Sequence, residues 1–318
     1  RPPPPPPPEP PPTALELPPA RDRVRHPDRQ TAEPPALPDN ALPFRLTSDR
    51  LALTDLALIP AGAGDPLSVD ALTLAATWEA TGLEISELGL VTSRPPAEAR
   101  LTGKVDLTGD YPVTAELDWH FLPGGELAPL AGTGRVEGDL QALRIVHRTT
   151  GRLTSGFEGE LSDLLDAPTW RALVRVDDVS THDFTRDAPA GSVAGHFSGT
   201  GTFSDASVTG TVTAELEGLD ALGRLEARVD AEIEQDLLSV SQLNLSASEV
   251  PGSLQARGRI QLTGEAPGRF DVDAEWRDLA WPPGEAPEYQ LPAGTLKASG
   301  TADAFSHEVT TRIESATL

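Results

Sequence analysis

The chain has 318 residues and 38% hydrophobic content, enough for a core but a lean one. Asp and Glu outnumber Lys and Arg 49 to 25, giving a formal net charge of −24, and a chain of that sign is a poor direct partner for nucleic acid or an anionic membrane surface. Cysteine is absent, which excludes disulfides, thiolate metal sites and a cysteine nucleophile.

Sixteen of the 32 prolines fall within residues 1–40, in "RPPPPPPPEPPP" and "PPALPDN". Proline fixes φ and has no N–H to donate, so this stretch predicts an extended Pro-rich linker. A Pro-rich ligand for a partner's aromatic groove is the alternative. Methionine is absent and the chain begins at Arg1, which predicts a fragment whose signal or anchor lies upstream. No apolar run approaches the roughly 20 residues that span a bilayer.

From Ala41 to Leu318 the chain reads as short alternating segments separated by Gly, Pro and Asp, with almost no helical periodicity. The predicted fold class is all-β. In "ARLTGKVDLTGDYPVTAELDW", Leu101, Val105 and Leu107 share one parity, and Val113, Ala115, Leu117 and Trp119 alternate with Thr114, Glu116 and Asp118. Side chains on a strand point to opposite faces in turn, so each strand has an apolar and a charged side.

A second pattern spaces leucines at i, i+2, i+5 and i+7: Leu51/Leu53/Leu56/Leu58, Leu83/Ile85/Leu88/Leu90 and Leu238/Val240/Leu243/Leu245. One extra residue that restores the same face is the signature of a β-bulge or tight bend.

The chain also repeats itself. "GKVDLTGDYPVTAELDW" from Gly103 matches "GRIQLTGEAPGRFDVDAEW" from Gly258, and a glycine-rich strand pair follows each tryptophan, from Ala131 and from Ala293; a looser copy follows Trp170. Such units predict an elongated sheet in which each hairpin contacts mainly its neighbours, with a compact sandwich as the competing picture. No segment has the continuous apolar run of a strand buried on both faces.

At "FDVDAEWRDLAWPPGEAPEYQLPAGTLKASGTADAF" and "LPFRLTSDRLALTDLAL" the chain resembles the TamB family, the inner-membrane component of the translocation and assembly module of Gram-negative bacteria, within the AsmA-like, bridge-like lipid-transfer superfamily. The resemblance runs from Leu42 to Leu318. It implies a long sheet curled lengthwise into an open apolar groove, a β-taco. A single curled sheet has no second layer over its apolar face, and such a patch marks a binding surface. On this resemblance the groove is lined by Val105, Leu107, Val113, Ala115, Leu117 and Trp119 in the first repeat and by Phe270, Val272, Ala274 and Trp276 in the second.

The resemblance further implies phospholipids as cargo, a periplasmic location with an inner-membrane anchor, support of outer-membrane biogenesis and autotransporter-type secretion, and TamA, an outer-membrane BamA-family protein, as partner through a region absent here. Membrane contact is then made only by missing termini. A structural β-solenoid or adhesin-like stalk with a self-filled interior is the alternative. Strands of 8 to 10 residues would give a groove on the order of 100 Å long.

No catalytic, metal or cofactor set emerges, and an enzyme is not expected. Histidines 26, 120, 147, 182, 196 and 307 lack two-ligand spacing and read as surface or loop residues. "AGTGRVEG" (Ala131–Gly138) departs from a dinucleotide loop and reads as turn glycines. Asp271, Asp273 and Glu275 read as one solvated face, and Trp119 and Trp276 as groove lining or packing.

Overall fold

The structure is a computed structural model that describes residues 37–58, 67–122, 129–183, 190–263, 267–282, 287–301 and 304–315. Most of the predicted linker, residues 1–36, lies outside the described residues.

Strand follows strand through the described residues. The first half holds β1 (Leu42–Leu58), β2 (Leu67–Ala80), β3 (Gly82–Ser93), β4 (Pro96–Asp106), β5 (Val113–Phe121), β6 (Leu130–Gly138), β7 (Ala142–Gly151), β8 (Thr154–Ser162) and β9 (Thr169–Ser180). The second holds β10 (Gly191–Gly201), β11 (Asp205–Leu216), β12 (Leu225–Glu234), β13 (Leu237–Ala247), β14 (Ser253–Gln261), β15 (Phe270–Trp281), β16 (Tyr289–Thr301), β17 (Ala304–Thr311) and β18 (Glu314–Ser315). Among the described residues the only helical pieces are single 3-10 turns at Thr181–Asp183 and Asp220–Leu222.

All eighteen strands belong to one sheet. From β1 to β17 each pairs antiparallel with its chain neighbour, and short β18 pairs with β16 beyond the end of β17. The sheet is open, with β1 and β17 as its edges, as the near-repetition of hairpins predicts and as a sandwich does not. Sixteen spacings of ~4.8 Å give it a length of about 77 Å. That is shorter than the predicted 100 Å because the main strands run from 8 to 17 residues, so the same chain makes fewer rungs.

Alternation is plain in the burial. On β5, Val113, Ala115, Leu117, Trp119 and Phe121 are half-buried while Thr114, Glu116, Asp118 and His120 are exposed. With no second layer, this difference comes from the curl, which crowds the apolar side chains against one another on the concave face. True core is scarce: among the described residues only Val69, Val179 and Ala274 are apolar and less than a tenth exposed.

Bulges set the crease. The register slips by one residue on β1 between Ser48 and Leu51, on β3 between Ile85 and Leu88, and on β13 between Val240 and Leu243. The last two fall where the skipped beat in the leucine spacing predicts them. On β1 the expected position, Leu53 to Leu56, keeps its register, and Asp55 there adopts φ 57°. Cross-strand pairing places all three slips on one line of the sheet, so the bends they impose add up to a lengthwise fold.

The convex face is charged. Lys104 pairs with Glu84 at 3.0 Å, Arg135 reaches Glu137 at 3.1 Å and Glu116 at 3.7 Å, and Arg144 meets Glu158 at 3.6 Å. Mostly solvent-facing, these pairs add little stability each, but like charges opposed by a one-strand slip would repel, so they reinforce register.

Candidate functional site

Following partners across the ladders divides the concave face into four rows that run perpendicular to the strands, about 6.8 Å apart. From β3 to β8 the second row reads Ile85, Gly103, Ala115, Val136, Ile145, Gly159. It continues from β9 to β16 as Ala172, Gly199, Val208, Ala231, Val240, Gly258, Val272, Ala298. Eight of these fourteen positions are Gly or Ala and none is Leu or aromatic.

The first row, next outward on the same side of the crease, carries bulk, as in Leu83, Val105, Val113 and later Ile260, Phe270. The third includes Leu88, Leu101, Leu117, and the fourth Leu90, Ala99, Trp119. Nine of the ten positions proposed from the sequence fall on these rows: Val105, Val113 and Phe270 on the first, Ala115 and Val272 on the second, Leu117 and Ala274 on the third, Trp119 and Trp276 on the fourth. Leu107 does not. It lies past the end of β4, where its N–H donates to Thr81 O at 2.8 Å and its carbonyl accepts from Asn40 N at 3.0 Å, because the β4–β5 turn begins there.

Between β2 and β16 no row position is an Asp, Glu, Lys or Arg. In a chain of charge −24, the acidic residues are segregated to the other face and the loops. Asp271 and Glu275 are exposed, and Asp273 lies 3.5 Å from Arg257, as expected of a solvated face. At the sheet edges the apolar surface is bare: Phe44, Leu46, Leu51 and Leu53 on β1 and Phe305 and Val309 on β17 are all exposed.

Aromatic rings lie flat over glycines of the next strand. Trp119 covers Gly132, where a Cβ would stand 2.4 Å from the indole nitrogen; Trp276 covers Gly294 and Phe197 covers Gly210 in the same way. The glycines of "AGTGRVEG" are therefore mostly not turn glycines. Gly132 and Gly134 sit mid-strand in β6, bare so that rings from β5 and β7 can lie down over them.

His147 corrects a second expectation. It is not a surface or loop residue: it stands on the third row opposite Gly134, and its Nε2 accepts a 2.8 Å hydrogen bond from Trp119 Nε1. The two rings are parallel within 2°, with centroids 5.9 Å apart. Indole N–H is only a donor, so Nε2 must hold a lone pair and the neutral ring carries its proton on Nδ1. In the second repeat Val309 stands opposite Leu296, the position matching His147 opposite Gly134, and Trp276 Nε1 has no hydrogen-bond partner among the described residues. No single-residue pattern in the sequence carries this pairing. The signal was the repeat itself, since aligning its copies sets His147 against Val309.

Elsewhere His120 and His196 are exposed on the convex face, His182 is exposed in a 3-10 turn, and His307 sits at the β17 edge. His26 lies outside the described residues. Trp170 Nε1 donates to Thr202 O at 2.8 Å.

Among the described residues no helix is long and apolar enough to cross a membrane, which leaves strand-built membrane proteins aside. No curated protein and no solved structure matches the chain. A protein-family profile does: the TamB N-terminal domain matches residues 16–266, from within the Pro-rich stretch to a point between β14 and β15 in the sequence. That span is well over half of the chain, and by it this single open sheet belongs to the TamB family.

Proposed function

We propose that the concave face conducts the acyl chains of phospholipids, in a TamB-like protein that spans the periplasm between inner and outer membranes. The observation that carries this reading is the uncharged four-row track between β2 and β16 in a chain of charge −24. Each CH2 exposed to water costs about 0.8 kcal/mol, so a 16-carbon tail leaving a bilayer bare would cost about 12 kcal/mol. A continuous apolar track removes most of that barrier while the headgroup stays wetted at the open seam, and no catalytic group is needed.

Through this traffic the protein supports outer-membrane biogenesis and the translocation and assembly of autotransporter-type proteins, with TamA as the outer-membrane partner. The scarcity of fully buried apolar side chains among the described residues favours an open groove over a stalk filled by its own side chains. A photo-crosslinking residue at Val272, on the second row, should capture phospholipid in cells, whereas one at Asp271 should capture little, since neighbours on a strand face opposite sides. Equal capture at both positions, or none at Val272, would overturn the conduit.

A further inference from the structure

Four rows over the fifteen strands β2 to β16 make sixty positions, and only three of them are polar: His147, Thr149 and Ser155. The three are neighbours. Thr149 follows His147 by one step on β7 and faces Ser155 directly across the β7–β8 ladder. Thr149 is only 6% exposed, and neither hydroxyl has a hydrogen-bond partner among the described residues. The other buried threonine, Thr92, does: its hydroxyl donates to Pro95 O at 2.6 Å. Ser155 is half-buried, so the pair opens onto the groove, and unpartnered hydroxyls facing the groove from an otherwise apolar floor are placed to meet a ligand.

We propose that this notch binds the glycerol-ester carbonyls of a diacyl lipid, an inference that rests on the conduit reading of the same face. The donor set decides the chemistry. Nδ1–H of His147, whose Nε2 is occupied by Trp119, and the two hydroxyls are all neutral donors, and no Lys or Arg stands on the four rows. A phosphate drawn into this floor would lose its hydration with no cation to offset the loss. An ester carbonyl is neutral and accepts such bonds. The notch occupies only the third and fourth rows, while the first and second remain apolar past β7 and β8. A lipid seated here therefore keeps its tails on the crease side and its ester region beneath Thr149 and Ser155, with the charged headgroup toward the seam.

The test compares lipids that differ in the carbonyl alone. Binding of the 318-residue chain is measured to a diester phosphatidylethanolamine and to the diether phosphatidylethanolamine with the same head and chain lengths. The diester should bind about tenfold tighter, the worth of one or two neutral hydrogen bonds, and its carbonyl infrared band should move to lower wavenumber on binding. The double variant T149V/S155A, which leaves the Trp119–His147 pair and its one remaining donor intact, should lose most of the preference for the diester, and an undiminished preference would overturn the notch. If the wild-type chain binds both equally, the notch proposal is wrong and the conduit stands; if it binds neither, both fall. Displacement of the diester by inorganic phosphate at millimolar levels would make the notch an anion site and overturn the ester reading. Should the double variant fail to fold, the wild-type comparison decides the matter by itself.

Discussion

Replacing Gly132 by alanine tests how the aromatic plates are built. Its φ is not in the left-handed region, so alanine strains no backbone there, but its Cβ would lie 2.4 to 2.7 Å from three atoms of the Trp119 indole. The ring must lift, and in lifting it loses the bond to His147. Overpacking costs about 1–3 kcal/mol and the lost hydrogen bond about 1 kcal/mol. The lower unfolded-state entropy of alanine returns about 0.4–1 kcal/mol, leaving a net destabilisation of about 2 kcal/mol. Gly156 on β8 is the control, since a Cβ there meets nothing within 4 Å, and Gly156→Ala should be neutral or stabilising. A chain of consecutive hairpins need not unfold all at once, so the effect is best read locally. In Gly132→Ala the amides of β5 to β7 should exchange about 30-fold faster than in the wild type, and the Trp119 indole N–H resonance should move. Exchange within twofold of the wild type with that resonance unmoved would show that the indole does not rest on Gly132.

Two further perturbations address the track and the crease. Val272→Lys sets an ammonium on the second row; the open groove lets it reach water, so the β-sheet circular dichroism should persist while lipid transfer between vesicles falls several-fold, and unfolding would instead mark a filled interior. Deleting Ser86, the extra residue by which β3 slips between Ile85 and Leu88, removes one bulge of the crease while Leu83, Ile85, Leu88 and Leu90 fall into strict alternation on the concave face. The strand should stay paired and resist proteases, and nicking around β3 would show that the bulge is needed to hold this part of the sheet.

The sequence by itself determined the class of the fold, because strand periodicity is local: Val113 to Trp119 and Phe270 to Trp276 declare two unlike faces without reference to anything distant. It likewise determined the hairpin order, since repeated units joined by short turns leave only neighbours to pair with, and two of the three bulges on the crease line, since a skipped beat must be absorbed within its own strand. The rows were decided only in the tertiary structure. That Gly258 meets Val272 and Val272 meets Ala298 depends on register accumulated over every preceding ladder, and no window of the chain contains it. The same holds for His147, whose spacing from other ligand types marks it as an ordinary surface histidine. Twenty-eight residues separate it from Trp119, and only the bare backbone of Gly132 and Gly134 on the strand between them lets the two rings meet.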